Sequence, residues 1–240
     1  RMMRQRDADS VRSVIVSYLP VPPSIGEMKT KPTQHAVREA NRAGISPDFL
    51  IARSEDEMDE PRREKLARFC AIPIKHIIGA PNVESIYKIP QSFEDQNFGD
   101  SLLESFGIDP KPANLDDWNE LSDKIGTLKD EVKIGVIGKY FSSGAFVLSD
   151  VYLSVLEAIK HASWANDRKP VIEWLNSEDY ENDPSKLKDL DNLDGILIPG
   201  GFGTRGIEGK IMAIKYAREN KIPYFGICYG MQCAVIEYGR

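Results

Sequence analysis

The segment Gly226-Ile227-Cys228-Tyr229-Gly230 places a thiol at the centre of a G-x-C-x-G pattern. It follows the apolar run Pro223-Tyr224-Phe225 and precedes Met231, Gln232, Val235 and Ile236, so strand, sharp turn and helix are predicted in that order. In such an elbow the nucleophile sits in a strained turn, and side chains two residues to either side would collide, so glycine occupies both places. The helix N-terminus behind the thiol favours the thiolate, and backbone N–H groups at the turn can stabilise a tetrahedral oxyanion. The competing reading is a buried structural Cys beside two turn glycines. Cys233, further along the same helix, reads as core.

A second stretch, Pro199-Gly200-Gly201-Phe202-Gly203-Thr204-Arg205-Gly206, follows the predicted strand Gly195 to Ile198. Its glycines let backbone N–H groups approach a ligand closely. Alone it fits a plain turn or a nucleotide loop equally well. One strand before a Cys elbow, it becomes a candidate oxyanion wall and substrate clamp. The third stretch is Gly26-Glu27-Met28-Lys29-Thr30-Lys31-Pro32-Thr33-Gln34. Lys29 and Lys31 bring two cations beside a turn held by Pro32, and Thr33 sits at the mouth of a helix. Ammonium groups and helix N-terminal N–H groups suit a triphosphate, while Thr30 and Gln34 can add hydrogen bonds. The competing reading is an ordinary capped helix with solvated lysines.

The elements that must position these residues form two blocks. In the first, strands are predicted over residues 11–19, 49–52 and 74–78, and helices over 33–43 and from Pro61 to about Cys70. In the second, strands are predicted over 133–138, 171–175, 195–198 and 223–227. Its helices run from a Ser149 cap through Val151, Val155, Ala158, Ile159 and Ala162, then from Ile207 to Asn220, then onward from Tyr229. Near-continuous apolar strands with helical crossovers mean parallel sheets covered on both faces, with chemistry at the carboxyl ends of the strands. The expected fold class is α/β, with two Rossmann-like parallel-sheet domains, each incomplete. Residues 1–107 form the first domain, 108–131 a polar linker in which Trp118 and Leu121 give one packed turn, and 132–240 the second domain.

The chain has 240 residues with 31 Lys and Arg against 37 Asp and Glu, a formal charge of −6. That acidic balance argues against non-specific nucleic-acid binding. No apolar run reaches the ~20 residues that span a bilayer, and the first residues lead into no signal-type stretch. Three scattered Cys suit a reducing, cytoplasmic compartment rather than a disulfide framework or a zinc site. Arg1 is no initiator Met, and the chain stops at Arg240 inside a predicted helix, so an internal segment of a longer protein is expected.

The run from Ile198 through Gly203, then Arg205-Gly206, Glu208-Gly209 and Gly226 to Gln232, resembles the class I glutamine amidotransferases. More narrowly it resembles the CTP synthase family, because residues 26–34 are similar to that family's pyrimidine-nucleotide loop and Ser85-Ile86-Tyr87-Lys88-Ile89-Pro90 to another of its signatures. The resemblance runs in order over nearly the whole chain. It implies ATP-dependent amination of UTP to CTP with ammonia released from L-glutamine. Cys228 would attack the glutamine amide and form a glutamyl thioester. Gly201 and the backbone N–H of Tyr229 would form the oxyanion hole, with Phe202, Gly230, Met231 and Gln232 around the glutamine. Lys29, Thr30, Lys31, Pro32, Thr33, Gln34 and Lys65 would hold UTP, or CTP as feedback inhibitor, and Pro81, Asn82 and Val83 would lie against the ATP adenine.

The resemblance further implies Mg²⁺ with ATP, no organic cofactor, GTP as a candidate activator, and a homotetramer capable of filaments. The Mg²⁺ ligands and the ATP phosphate loop are expected upstream of residue 1, and the triad His and Glu downstream of residue 240, so no metal ligand is assigned within the segment and the segment alone should be catalytically incomplete. His35, His76 and His161 do not fill that gap, the latter two reading as structural. Tyr229 stands where the family more often has Leu. The other classes still open are a different amidotransferase or Cys-elbow hydrolase, and a non-catalytic assembly module.

Overall fold

The computed structural model describes residues 2–138, 142–143, 146–147, 152–201 and 203–240. The chain divides into two compact units, residues 1–123 and 124–240. The first contains α1 (Met2–Arg6), β1 (Val14–Leu19), α2 (Lys31–Arg42), β2 (Phe49–Ser54), α3 (Glu60–Cys70), β3 (Ile77–Pro81), α4 (Ile89–Asp95) and α5 (Phe98–Ser105). The division falls within α6 (Asp116–Thr127). The second contains β4 (Glu131–Gly138), the short ladder β5 (Ser142–Ser143) and β6 (Phe146–Val147), α7 (Leu153–Ala165), β7 (Lys169–Asn176), α8 (Ser177–Asn182), β8 (Gly195–Ile198), α9 (Ile207–Asn220), β9 (Tyr224–Gly226) and α10 (Tyr229–Gly239).

In the first unit β1, β2 and β3 pair in that order, all parallel. Phe49, Leu50, Ala52, Ile77 and Ile78 are buried, as strands covered on both faces require. On β1, by contrast, Val14, Val16 and Tyr18 are exposed while Leu19 is buried. Among the described residues no strand pairs with the outer side of β3, and a side chain bonds there. Gln96 accepts from the Gly79 N–H at 2.8 Å and donates to the Gly79 carbonyl at 2.9 Å, occupying the bonds a neighbouring strand would make.

The second sheet runs β7-β4-β8-β9, all parallel. Counting only the strands of this sheet in chain order, this is the 2-1-3-4 order of a doubly wound fold, whose ligands bind beyond the carboxyl ends of the strands. Ile137, Ile196, Ile198, Ile211, Ile214, Ala217 and Cys233 form one core between this sheet, α9 and α10. α9 and α10 are also joined by Arg218, whose Nη2 and Nε donate to the buried Glu237 carboxylate at 2.7 and 2.9 Å.

The α/β class and the parallel sheets are as expected, while several boundaries differ. The helix expected over 33–43 begins at Lys31 with Pro32 in its first turn, where a fixed φ and a missing N–H do no harm. The strand expected over 74–78 opens as a 3₁₀ turn from Ile74 to His76, and the extended backbone starts only at Ile77. The single turn expected near Trp118 is the twelve-residue helix α6, whose Trp118 Nε1 donates to the Tyr87 carbonyl at 2.7 Å. α7 starts at Leu153 after Tyr152 at φ 66°, and the Ser149 cap and Val151 lie outside the described residues.

Candidate functional site

The elbow is built by close backbone approach. Cys228 precedes α10 at φ 51° and ψ −103°, a conformation L-residues rarely adopt, and its side chain is exposed. That exposure removes the reading of Cys228 as a buried structural thiol. A Cβ on Gly226 would stand 2.7 Å from both the Gly230 carbonyl carbon and the Met231 nitrogen. One on Gly230 would stand 2.1 Å from the Ile198 carbonyl oxygen. Neither position has room for a methyl group. The turn is fastened to β8 by the Ile227 N–H donating to Ile198 O at 3.0 Å. The Tyr224 hydroxyl braces it from β9, donating to Gly230 O at 2.6 Å, and burial pushes that phenol up from its ordinary pKa.

Facing the thiol is the glycine stretch after β8. A Cβ on Gly200 would lie 3.6 Å from Cys228 Cβ and 4.0 Å from its Sγ, so Gly200 is the residue set directly against the thiol. The corresponding point on Gly201 lies 3.8 Å from Lys210 Nζ and 4.0 Å from the Tyr152 hydroxyl. Tyr229 Oη donates to Gly203 O at 3.1 Å, tying the first residue of α10 to the same loop. Gly230 is buried at the strand contact, and the Gln232 N–H donates to Cys228 O at 3.1 Å. Met231 lines a different groove, with Ile214, Tyr224, Val235 and Tyr238. Phe202 lies outside the described residues. Cys233 is fully buried in the core, where burial pushes its thiol up from the ordinary value.

The basic stretch of the first unit forms a cleft of about 540 Å³ with α3. Lys29, Thr30, Lys31 and Lys65 line it, together with Glu27, Met28, Pro61 and Arg62. Arg62 precedes Lys65 by one helical turn, the spacing that puts both on one face of α3. Asp59 caps that helix, accepting from the Arg62 N–H at 3.1 Å. Glu27 is the acid among these cations: its oxygens lie 2.7 Å from Lys29 Nζ and 3.1 Å from Arg62 Nη2. The Lys29 hydrogen bond foremost holds the Glu27 carboxyl below its usual range.

Thr33 and Gln34, expected at the nucleotide, face elsewhere. Both are buried. The Thr33 hydroxyl lies 2.9 Å from Ser17 Oγ and donates to Tyr18 O at 3.2 Å, while Gln34 donates to Thr30 Oγ1 at 3.1 Å. Thr33 thereby pins the start of α2 to β1, while Gln34 closes back on Thr30, the residue that leads into α2. Pro32 is exposed in the first turn of α2. Pro81 and Val83 line a separate polar cleft of about 600 Å³ with Lys88, Gln91 and Asp123. Arg53 holds the end of β3 and Asn82, donating to Ala80 O, Pro81 O and Asn82 Oδ1 at 2.8, 3.1 and 2.9 Å.

Sequence reasoning places Gly200 and Glu27 within their stretches without a role of their own, and it singles out neither Arg62 nor Lys210. Only Arg62 carried a local signal, its spacing to Lys65. His76 stacks on Phe49 at 4.1 Å with Nδ1 3.0 Å from Asp48 O, as a structural residue does, and His161 lies 5.3 Å from Trp164. Among the described residues no three His, Cys, Asp or Glu side chains come together as a metal site, and no helix is long and apolar enough to cross a membrane.

The family described as CTP synthase N-terminus matches residues 1–108, and the class-I glutamine amidotransferase family matches residues 147–240. A CTP synthase of Pyrococcus abyssi is 43% identical over 240 residues, covering 100% of this chain and 43% of the relative. One from Methanocaldococcus jannaschii is 44% identical over 237 residues, covering 97% of this chain and 43% of the relative. The chain thus spans less than half the length of these relatives. A solved structure, the glutaminase domain of Trypanosoma brucei CTPS with bound acivicin, is 43% identical over 45% of this chain and 40% of its own, with a TM-score of 0.41. Two family matches in the right order, and identity above two-fifths along the whole chain, lead to one conclusion: the chain belongs to the CTP synthase family, with a class-I glutamine amidotransferase region in its second half.

Proposed function

We propose that this chain forms part of a glutamine-hydrolysing CTP synthase, with ammonia released in the second unit and consumed in the first. The observation that carries the reading is the exposed Cys228 thiol, held at positive φ between two obligatory glycines and set 4.0 Å from the Cβ position of Gly200. Attack of the thiolate on the glutamine carboxamide carbon gives a tetrahedral oxyanion. Collapse expels ammonia and leaves a glutamyl thioester, which water hydrolyses to glutamate and free thiol. Backbone N–H groups of Gly201 and Tyr229 receive the oxyanion, Phe202 and Gln232 border the substrate, and Gly230 and Met231 carry the backbone of the elbow beneath it.

In the amination half, Lys29, Lys31 and Lys65 neutralise the UTP triphosphate and Thr30 borders it. Pro32, Thr33 and Gln34 set the helix start beneath it. Pro81, Asn82 and Val83 flank the ATP adenine. ATP phosphorylates the 4-oxygen of UTP, and ammonia displaces that phosphate to give CTP. Magnesium accompanies ATP in this reading, and no residue described here is assigned to it. Residues 1–107 serve amination, 132–240 serve ammonia release, and 108–131 connect them. CTP as feedback inhibitor in the same basic cleft, GTP as activator, a cytoplasmic tetramer and filaments belong to the same proposal.

The test is CTP formation from UTP and ATP by the complete protein carrying this sequence, supplied with glutamine or with ammonium. Cys228→Ala is expected to abolish the glutamine-driven reaction and spare the ammonium-driven one. A wild-type protein that makes no CTP from either nitrogen source would end this reading.

A further inference from the structure

Behind the elbow lies a cation that the amidotransferase reading does not use. Lys210, on α9, is 1% exposed, a rare state for a residue that normally keeps its ammonium in water. Its Nζ lies 5.2 Å from the centroid of the Tyr229 ring, within cation–π range of an aromatic face. The same Nζ lies 3.8 Å from the Cβ position of Gly201, the residue next to the one that meets Cys228 Sγ. Burial pushes the neighbouring Cys233 thiol up, and the Lys210 charge partly opposes it, as expected of a cation lodged between α9 and α10. The glycine stretch and the elbow are therefore held together at successive points: Cys228 against Gly200, Lys210 against Gly201, and the Tyr229 hydroxyl on Gly203.

We propose that Lys210 is a positioning residue for thioester formation. Its buried ammonium, set between Gly201 and the ring of Tyr229, fixes the spacing of the two stretches whose backbone N–H groups receive the oxyanion. The inference rests on the amidotransferase reading of Cys228. Oxyanion donors act only when held within a few tenths of an ångström of the developing charge, so loosening this clamp slows the chemical step more than it weakens substrate binding.

The test uses the complete protein with Lys210→Met, Lys210→Arg, Tyr229→Leu and the Lys210→Met/Tyr229→Leu pair. Lys210→Met, similar in size but uncharged, is expected to lower kcat for glutamine hydrolysis by about 10- to 100-fold, with KM held within about threefold. Ammonium-driven CTP formation should stay at the wild-type level, and Lys210→Arg should recover part of the loss. Tyr229→Leu should lower kcat less, and the pair should be no worse than Lys210→Met alone, because both changes break the same contact. Wild-type kcat in Lys210→Met, a loss carried by KM, or fully additive losses in the pair would each overturn the proposal. If Lys210→Met fails to fold, Tyr229→Leu decides: an unchanged kcat overturns the proposal, and a reduced kcat at unchanged KM supports it. A wild-type protein that hydrolyses no glutamine fails the amidotransferase reading itself and takes this inference with it.

Discussion

The two candidate sites are built by opposite means. Around Cys228 the backbone supplies the geometry: an unusual φ, glycines without room for a methyl group, and a carbonyl of β8 pressed against Gly230. Around Lys29 and Lys65 the backbone is ordinary, and side-chain charge on a helix start and a facing helix supplies the character. A site of the first kind fails when an atom is added. A site of the second kind fails when a charge is removed, and salt weakens it.

The sharpest way to break that contrast is Gly230→Ala. Its methyl would stand 2.1 Å from a buried backbone oxygen that cannot move without β8. It should destabilise the second unit by about 3 kcal/mol or more, and glutamine hydrolysis should be lost with it. Thermal unfolding beside the hydrolysis rate checks this, with Gly126→Ala as control. Nothing lies within 4 Å of a Cβ at Gly126, so that change should be neutral or stabilise helix α6 by up to about 1 kcal/mol.

The next effect belongs to the charged cleft. Lys31→Ala should weaken UTP binding about tenfold, the worth of one charge-assisted contact, and flatten the dependence of affinity on salt. Glutamine hydrolysis without nucleotide should not change. Titration calorimetry at two ionic strengths reads both terms, and equal losses at low and high salt would count against a charge-built site.

The smallest effect tests the one acid in the cleft. Glu27 engages Lys29 and Arg62 while itself exposed, so Glu27→Gln should release cations to a triphosphate and tighten binding by about two- to fivefold. The pairing with Lys29 holds the Glu27 carboxyl below its usual range, so the group stays charged as pH falls through that range. The difference between wild type and Glu27→Gln should therefore persist down to ordinary glutamate titration and close only below it. A difference that closes between pH 7 and pH 5 would show that Glu27 is not the controlling acid, since those values lie above even an unshifted glutamate.

The elbow was legible from sequence because its constraint is local: glycines two residues either side of a Cys encode the turn directly. Which glycine of the facing stretch meets the thiol is not legible, because that depends on how β8 and β9 are staggered; the resemblance implies Gly201 as an oxyanion donor, and Gly200 is the one that stands against the thiol. Lys210 is not legible in the sequence because it stands beside the apolar series Ile211, Ile214 and Ala217 and reads like any surface lysine of an amphipathic helix. Polar residues at a helix start suit phosphate, which is why the sequence alone points Thr33 and Gln34 toward a ligand. The structure spends Thr33 on holding α2 against β1 and Gln34 on the residue that leads into α2. The sequence places the start of β3 at Ile74 because the β-branched Ile74, Ile77 and Ile78 fall within five residues, and composition alone does not show that Pro73 leads into a 3₁₀ turn.

Gln96 has a consequence beyond holding one strand. A parallel sheet with an open margin invites a strand from another molecule, and such additions are a common route both to recognition and to aggregation. With its carboxamide seated on Gly79, that rung of the ladder is already taken, so an incoming strand must first displace Gln96. One glutamine, the residue that ends α4, thus covers a rung of the ladder with the two bonds a strand would use there.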